Sequence, residues 1–329
     1  MNQTKTPDSL IEVRNLKKYF PVRDAFGLSL SRQLRAVDDV SFDIRKGETF
    51  GLVGESGCGK TTLGRCITRL YDFTAGDVRF EGRSIAFLHG RQLKPYHRRM
   101  QVIFQNPFSS LDPTFTVREL VEEPLRIHMK LTAPERAEKV RAILAKVGIA
   151  GEDMEKFPYE LSGGQCQRVG IARALVVTPA FVLCDEPISA LDVSVQAQVV
   201  NLLEDIQQEM GLTYLFIAHD LSMVRHISRR IGVMYLGRIV ELASGEELYT
   251  HPLHPYTRAL LSSVPVPDPK TARETKMQVL SGDPPSPVDL PPCCRFCTRC
   301  PLAEAKCRAS EPELRDVGGG HFVACHLEG

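Results

Sequence analysis

The sequence predicts an α/β protein built on a parallel sheet. Short apolar segments alternate with longer helical patterns between residues 49 and 218, which is typical of strands separated by crossover helices. One apolar segment, 49–53, leads directly into a glycine-rich turn and a helical pattern. Another, 180–184, is entirely apolar, as expected of a strand buried on both faces, and is followed by Asp185 and Glu186.

Length and composition exclude several classes of protein. The 329 residues, 43% of them hydrophobic, suffice for one large domain with an appendage or for two ordinary domains. A net charge of +1 provides no basic field for nucleic acid. No apolar run approaches the roughly 18 residues that a membrane span requires, and residues 1–7 lack the apolar core of a signal peptide. We therefore expect a protein kept in the cytosol, where its ten cysteines do not form disulfides.

The predicted elements follow in chain order. Strands are predicted at Leu10–Leu16, with its end near 17–20, and at Ala36–Ile44, 49–53, Gly76–Phe80, Met100–Gln105, Ala180–Cys184 and Thr213–Ala218, and a hairpin is predicted at Arg230–Leu242 turning at Gly237. Helices are predicted at Thr62–Leu70, at Thr116–Leu144 with interruptions at Pro124 and Pro134, from Gln165 to about Val177, and at Val193–Met210. Residues 21–35 are expected to form a loop, and the proline-rich segments 264–269 and 284–287 extended linkers.

A phosphate-binding loop is predicted after the strand 49–53, because Gly54 to Thr61 fits the pattern G-x-x-x-x-G-K-[ST] in full. Its glycines let backbone N–H groups approach an anion, and the following helix directs its positive end to the same place. Lys60 adds a charge for the β- and γ-phosphates, and the Thr61 hydroxyl can hold Mg²⁺. The preceding strand argues against a glycine turn that merely contains Gly-Lys-Thr. The predicted loop residues are Gly54, Glu55, Ser56, Gly57, Cys58, Gly59, Lys60, Thr61 and Thr62.

Two further segments complete the predicted site. Asp185 can reach Mg²⁺ directly or through water, and Glu186 is placed to polarise an attacking water. The segment 161–165 is a second anion-binding device, because its serine can cap a helix and its two glycine N–H groups point outward. Since the chain already has one phosphate loop, this segment is expected to serve the nucleotide of another chain. In isolation, the two segments could be a surface acidic pair and an ordinary helix cap.

In order and spacing, these motifs resemble the ATP-binding subunit of an ABC transporter over about residues 10–245. The resemblance makes 54–61 the Walker A loop, Gln105 the Q-loop residue, Asp185 the Walker B acid and Glu186 the catalytic glutamate. The remaining matches are the signature Leu161, Ser162, Gly163, Gly164 and Gln165, the D-loop 189–192, the switch histidine His219, and Phe20 as the aromatic that stacks on adenine, with Tyr19 as the fallback.

The resemblance implies a P-loop ABC-type ATPase domain at 1–245, with an N-terminal antiparallel β subdomain and a helical subdomain at about 106–180. It also implies catalytic roles for Glu186, His219 and Gln105, and Mg²⁺ bound through Thr61, Gln105 and Asp185. ATP would lie between the Walker A loop of one chain and the signature and Asp192 of another. A C-terminal extension at 246–329, with a Cys-rich tail, would follow.

Several segments narrow the resemblance to the dipeptide/oligopeptide branch, and within it to the F-type ATPase subunits of dipeptide permeases. They are 104–107 (FQNP), 189–195 (SALDVSV), 234–238 (MYLGR) and 251–257 (HPLHPYT). The resemblance implies an ATPase that powers import of dipeptides or oligopeptides, bound peripherally at the cytoplasmic face of the inner membrane. It implies as partners a second ATPase subunit, two membrane-spanning permease subunits and an extracytoplasmic peptide-binding protein.

Other functions remain open at this point. Nickel and peptide antibiotics are alternative substrates, because other chains of such a complex select the cargo. A soluble ATP switch of translation or DNA repair is disfavoured by the single phosphate loop and the lack of sustained heptads. A regulatory subunit of a transporter, with the tail as its sensor, is the third possibility.

Six of the ten cysteines lie between Cys293 and Cys325, which indicates a metal site. Four of them fit the family's spacing, namely Cys294, Cys300, Cys307 and Cys325. The resemblance favours a 4Fe-4S cluster there, and four thiolates also suit zinc. Cys293 and Cys297 are expected to be free thiols. Cys166, which follows the signature, is expected to alter a helix surface, and the tail is not expected to take part in hydrolysis.

Overall fold

The structure is a computed structural model that describes residues 9–22, 32–263 and 282–328. The predicted linker 264–269 and most of the predicted loop 21–35 lie outside the described residues. The chain divides into two compact units. The first consists of Met1–Leu10, Ile44–Glu48 and Phe87–Ile217, and the second of Ile11–Asp43, Thr49–Ala86 and Ala218–Gly329. No helix in the described part of the chain is long and apolar enough to cross a membrane.

The elements are as follows. The strands are β1 (Ser9–Val22), β2 (Arg32–Arg45), β3 (Thr49–Val53), β4 (Ala75–Phe80), β5 (Arg83–Ser84), β6 (Met100–Ile103), β7 (Phe181–Asp185), β8 (Thr213–Ile217), β9 (Arg230–Tyr235), β10 (Arg238–Ser244), β11 (Arg315–Asp316) and β12 (Phe322–Val323). The helices are α1 (Lys60–Ile67), α2 (Lys94–Arg99), α3 (Pro107–Ser110), α4 (Val117–His128), α5 (Ala133–Lys146), α6 (Gly163–Leu175), α7 (Val193–Met210), α8 (Leu221–Ile227), α9 (Gly245–Thr250), α10 (Pro255–Ser262) and α11 (Ala305–Ala309). Short 3-10 turns occupy Gly90–Gln92, Gly151–Glu155 and Pro158–Glu160.

The first unit contains the parallel strands that the sequence predicts. β7 pairs with β6 on one side and with β8 on the other, both in parallel. Every residue of β7 and β8 is buried, which explains why both segments are apolar except for Asp185 at the end of β7 and Thr213 at the start of β8. Asp185 is the last residue of β7, so its carboxylate lies at the carboxyl end of the strand.

Helices α4, α5 and α6 pack on one another in the first unit. The predicted interruption at Pro124 is wrong, because α4 continues through this residue. Pro124 removes one backbone donor, but burial of Leu120, Val121 and Leu125 in the same helix favours the helical path. The interruption predicted at Pro134 is confirmed, because α4 ends at His128 and a second helix, α5, begins at Ala133. Pro134 lies in the first turn of α5, where the N–H that proline lacks would have no intrahelical partner.

The second unit contains two groups of strands. An antiparallel sheet has the order β2-β1-β4-β5, and β1 ends at Val22, two residues beyond Phe20, near which its end was predicted. The strand β3 pairs in parallel with β9, and β9 forms the predicted hairpin with β10, turning at Gly237. The strand β12, near the end of the chain, pairs with β10 through Val323 and Phe322. Residues of the Cys-rich tail therefore extend the same group of strands as β3.

Candidate functional site

The predicted phosphate loop joins β3 to α1 in the second unit, and two of its glycines are required by close contacts. At Gly54, φ is 152° and a Cβ atom would lie 2.2 Å from the carbonyl oxygen of Met234. At Gly59, φ is 108° and a Cβ atom would lie 2.0 Å from the carbonyl oxygen of Ala36. Backbone atoms cannot move away as a flexible side chain can, so any other residue at either position would displace the loop.

Lys60 is the first residue of α1, and only 4% of it is exposed. Its Nζ donates hydrogen bonds to the carbonyl oxygens of Gly54, at 2.7 Å, and Glu55, at 3.1 Å. The ammonium group therefore lies within the loop that its own segment forms. The N–H groups at the start of α1 open onto the same loop, which gives two sources of positive potential for an anion.

Glu55 has two contacts with distant parts of the chain that the sequence analysis missed. Its backbone N–H donates to the Tyr256 hydroxyl at 2.8 Å. Its carboxylate accepts two hydrogen bonds from the Arg299 guanidinium, at 2.8 and 3.0 Å. These residues are 201 and 244 positions away along the chain, so no local pattern could have indicated them.

In the first unit, the structure brings Gln105 and Glu186 together. The Nε2 atom of Gln105 donates to Oε2 of Glu186 at 2.8 Å. Glu186 follows the buried Asp185 and has a φ of 49°, a left-handed conformation that costs a residue with a side chain about 1–3 kcal/mol. Its backbone N–H donates to the carbonyl oxygen of Ile217, which holds this conformation at the end of β7.

The signature segment forms the start of α6. The Ser162 hydroxyl accepts from the Gln165 N–H at 3.3 Å, while Oε1 of Gln165 accepts from the Ser162 N–H at 3.0 Å. This reciprocal pair is a capping box, and the helix begins at Gly163.

The prediction for Cys166 is wrong, because the residue is fully buried and its thiol donates to the Pro158 carbonyl oxygen. It lies on the packed face of α6, which the residue type alone did not indicate.

Two other predicted site residues lie at exposed helix starts. Asp192 precedes α7, and its carbonyl oxygen accepts from the N–H groups of Val195 and Gln196. His219 is exposed and follows β8, one position before Asp220, which caps α8. The predicted roles of His219 in catalysis and of Asp192 at the partner's nucleotide stay predictions.

The two candidate adenine-stacking residues have different surroundings in β1. The Phe20 ring packs edge-on against Tyr71, with centroids 6.3 Å apart, and the Lys18 ammonium lies 4.7 Å from its centroid. The Tyr19 hydroxyl donates to Asp38. Burial and this hydrogen bond to a carboxylate raise the pKa of Tyr19 to about 12. The hydroxyl of Tyr19 is therefore committed to Asp38, and the assignment of Phe20 to stacking on adenine stays a prediction.

The cysteines of the tail lie near one another. Burial, and then the neighbouring thiols of Cys307, Cys297 and Cys325, raise the pKa of Cys294 to about 12, while the Phe296 N–H acts in the opposite direction. The thiols of Cys293 and Cys297 are 3.8 Å apart. Among the residues that the structure describes, no group of three His, Cys, Asp or Glu side chains is arranged to hold a metal ion. The predicted 4Fe-4S cluster is therefore not confirmed.

Comparisons with known proteins identify the family. The family described as ABC transporter matches residues 37–189, and the family described as oligopeptide/dipeptide transporter, C-terminal region, matches residues 240–307. The chain is 50% identical over 321 residues to the oligopeptide transport ATP-binding protein AppF of Bacillus subtilis, a match that covers 97% of this chain and 98% of AppF. The chain belongs to the ABC-type oligopeptide transport ATP-binding proteins. The predictions of an ABC-type ATPase and of a role in peptide transport are confirmed.

Two other relatives in this family are similar over almost their whole length. The putative oligopeptide transport ATP-binding protein YkfD of Bacillus subtilis is 53% identical over 319 residues, which cover 97% of this chain and 95% of YkfD. The oligopeptide transport ATP-binding protein OppF of Haemophilus influenzae is 46% identical over 328 residues, which cover 99% of both chains.

Solved structures confirm the fold of the ATPase and its antiparallel β subdomain. The ATP-binding cassette MJ0796, in a dimeric post-hydrolysis state bound to ADP and Pi, matches with a TM-score of 0.64 at 28% identity. The match covers 71% of this chain and 98% of MJ0796. A second match, cbiO1 from Clostridium perfringens, part of the ABC transporter complex cbiONQ, has a TM-score of 0.64 at 25% identity and covers 74% of this chain and 92% of cbiO1. ATP and Mg²⁺ are the expected substrate and cofactor of such an ATPase.

Proposed function

We propose that this chain hydrolyses ATP to drive import of dipeptides or oligopeptides, as one of two ATPase subunits in a membrane transporter. The observation that carries the proposal is the hydrogen bond between Gln105 and Glu186 at the end of β7. It supports a carboxylate base held by the Q-loop amide, in a chain that also has a complete phosphate loop.

The chain's own residues have separate tasks in the proposed reaction. The backbone of 54–61 binds the phosphates, and Lys60 offsets their charge. Glu186 orients the attacking water and accepts its proton while the water oxygen bonds to the γ-phosphorus and the bond to the ADP oxygen breaks. We assign His219 to positioning the γ-phosphate, and Phe20 to stacking on adenine.

The residues assigned to Mg²⁺ fit that ion. Thr61, Gln105 and Asp185 offer a hydroxyl, an amide oxygen and a carboxylate, and Mg²⁺ prefers oxygen ligands. When bound, the ion neutralises charge that develops on the β- and γ-phosphates. Asp185 is only 2% exposed, and its position at the end of a buried strand fixes where its carboxylate can reach.

We propose that the signature serves the nucleotide of the partner ATPase. The capping box of Ser162 and Gln165 holds the start of α6 in place, so that the N–H groups of Gly163 and Gly164 form a fixed anion-binding surface. Asp192 would contribute at the same interface. The dimeric form of the similar cassette MJ0796 supports such a pairing. The partner we favour is a second, homologous ATPase subunit.

The rest of the proposed complex follows from the peptide-transport family. Two membrane-spanning permease subunits would form the path, and an extracytoplasmic binding protein would deliver the peptide. The helical subdomain would contact the permease, and this contact would hold the chain peripherally at the cytoplasmic face of the inner membrane. The relatives are named for oligopeptide transport; nickel or a peptide antibiotic is the alternative cargo, and a soluble ABC-type ATP switch is the less favoured function.

We also propose that Cys294, Cys300, Cys307 and Cys325 hold a 4Fe-4S cluster, with zinc as the alternative. The support is the donor set, since four thiolates suit either group. The backbone helps to bring two of these residues together, because the Cys294 N–H donates to the Cys307 carbonyl oxygen at 3.0 Å.

Uptake by the purified complex in lipid vesicles tests the proposed function. ATP-dependent accumulation of a labelled dipeptide or longer peptide is expected with the parent chain, and none with Glu186→Gln. Glu313→Gln, at an exposed carboxylate in the tail, is the matched control and should leave uptake unchanged. ATP hydrolysis that is independent of the permease subunits would favour the soluble switch. Uptake of nickel without uptake of peptide would identify nickel as the cargo.

A further inference from the structure

The C-terminal extension reaches the phosphate loop at a single loop residue, Glu55. Tyr256, in the His-Pro-Tyr segment, accepts the Glu55 N–H through its hydroxyl at 2.8 Å. Arg299, between two cysteines of the tail, binds both oxygens of the Glu55 carboxylate. One residue of the loop is thus held through its backbone by one part of the extension and through its side chain by another.

Tyr256 and Arg299 are themselves fixed by packing. Tyr256 is fully buried and Arg299 nearly so. The Tyr256 ring packs against those of Tyr235 and Phe296, with centroids 4.7 and 5.5 Å apart. The Arg299 guanidinium also lies 3.5 Å from the Tyr235 hydroxyl. The aromatic cluster joins β9 to the tail, so the contacts with Glu55 do not depend on mobile surface side chains.

The negative charge of Glu55 explains why this residue needs a cationic partner in the loop. A carboxylate within a phosphate-binding loop repels an anionic ligand, whereas the bidentate pair with Arg299 neutralises it and fixes its direction. The pair also raises the pKa of Arg299, because the guanidinium is stabilised in its charged form by the Glu55 carboxylate. The hydrogen bond to Tyr256 fixes the peptide between Gly54 and Glu55, beside the carbonyl oxygens that hold Lys60.

We infer that Tyr256 and Arg299 are positioning residues for ATP binding, through which the C-terminal extension sets the shape and charge of the phosphate loop. The inference rests on the proposed function only in taking this loop as the ATP site. The C-terminal extension would thus take part in ATP binding, although it lies far from the nucleotide-binding motifs along the chain.

The test measures binding of ATP and of a fluorescent ATP analogue to the assembled complex, with the KM and kcat of hydrolysis measured in parallel. Arg299→Ala leaves the Glu55 carboxylate unpaired and should weaken ATP binding by about tenfold or more, the usual effect of losing hydrogen bonds between charged groups. Arg299→Lys should retain part of the affinity. Tyr256→Phe, which removes only the hydroxyl, should raise KM several-fold with a smaller effect on kcat. Arg308→Lys, at an exposed position of the same tail, is the control.

A double variant separates charge neutralisation from a general structural role. If Arg299 acts by neutralising Glu55, then Glu55→Gln combined with Arg299→Ala should bind ATP more tightly than Arg299→Ala alone. A structural role for Arg299 would leave the double variant as weak as the single one, and that result would overturn the inference. So would ATP affinities of Tyr256→Phe and Arg299→Lys within twofold of the parent. Because binding is measured without peptide, failure of the parent to transport peptide would count against the proposed function alone.

Discussion

The Gln105 amide donates a hydrogen bond to the Glu186 carboxylate at 2.8 Å, so the two residues that follow the neighbouring strands β6 and β7 meet directly. Glu186 also takes a left-handed backbone conformation, held by the bond from its N–H to Ile217. Strained backbone conformations cluster at active sites, where the surrounding structure holds a residue in place despite the cost. Gln105 would thus set the direction of the base.

Replacing Glu186 by Gln should permit ATP binding and nearly abolish turnover. The amide keeps the size and the contact with Gln105 but cannot accept the proton of the attacking water, and general bases typically contribute about 10²–10⁴-fold. ATP hydrolysis by the assembled complex is the measurement, with trapping of a closed, ATP-bound state as the second readout. Turnover near the parent rate would show that Glu186 is not the base.

The isolated chain should be a poor ATPase. The signature at the start of α6 is proposed to serve a partner's nucleotide, so a single copy lacks half of each site. Activity should rise steeply when the second ATPase subunit and the permease subunits are added. The measurement is the specific ATPase activity as a function of protein concentration, with the mass of the species determined in parallel. Robust hydrolysis by a proven monomer would contradict the paired arrangement.

Substituting Gly59 by Ala should abolish ATP binding. The Cβ atom would lie 2.0 Å from the Ala36 carbonyl oxygen at a φ of 108°, so the loop must move at the point where α1 begins. Isothermal titration with ATP measures the loss. Gly170→Ala is the matched control, because a Cβ atom there meets nothing within 4 Å and the residue lies inside a helix. Equal affinities of both variants would show that the loop tolerates displacement.

The sequence predicted the structure well where local patterns along the chain determine it. The continuous apolar runs of β7 and β8 predicted buried parallel strands, and the hairpin at Gly237 followed from turn chemistry. Pro124 and Cys166 were misjudged because tertiary packing decides whether a proline is tolerated and which helix face is buried. The contacts of Tyr256 and Arg299 with Glu55 could not be foreseen, because they join segments that only the complete fold brings together.

Acid should destabilise the protein through His254. Burial, and then the charge of Arg258, lower the pKa of His254 to about 3, and its Nδ1 accepts the Tyr256 N–H at 3.1 Å. Because the pKa in the folded protein lies below the unfolded value of about 6.5, this group contributes stability above pH 6.5. That contribution is lost as the pH falls towards 3, by up to about 1.4 kcal/mol per pH unit.

Urea unfolding of the His254→Asn variant between pH 7.5 and 5 checks this prediction. Asn can accept the same N–H at the start of α10 without titrating, so the variant should lose less stability than the parent on acidification. His251→Gln, at an exposed histidine three positions earlier, should retain the parent's pH dependence. Equal losses in the parent and in His254→Asn would assign the acid sensitivity to other groups.

The tail should bind one 4Fe-4S cluster with a structural role. The segment from Cys293 to Cys325 is too short to build its own core, and a metal group joining four thiolates would hold it together. Anaerobic purification is expected to yield about four irons and four sulfides per chain. Serine at any of the four predicted ligands, Cys294, Cys300, Cys307 or Cys325, should remove the cluster and loosen the tail.

The neighbouring cysteines provide the controls for this assignment. Cys293 and Cys297 have their thiols 3.8 Å apart, and the Cys297 N–H donates to the Cys294 carbonyl oxygen, so Cys297 is the nearest competitor for a ligand position. Serine at either residue should leave the iron content unchanged. Stoichiometric zinc without sulfide would establish a zinc site instead, and loss of iron only in Cys297→Ser would show that the ligand set is wrong. If the tail also positions the phosphate loop through Arg299, the variants that lose the cluster should bind ATP more weakly, whereas Cys293→Ser should not.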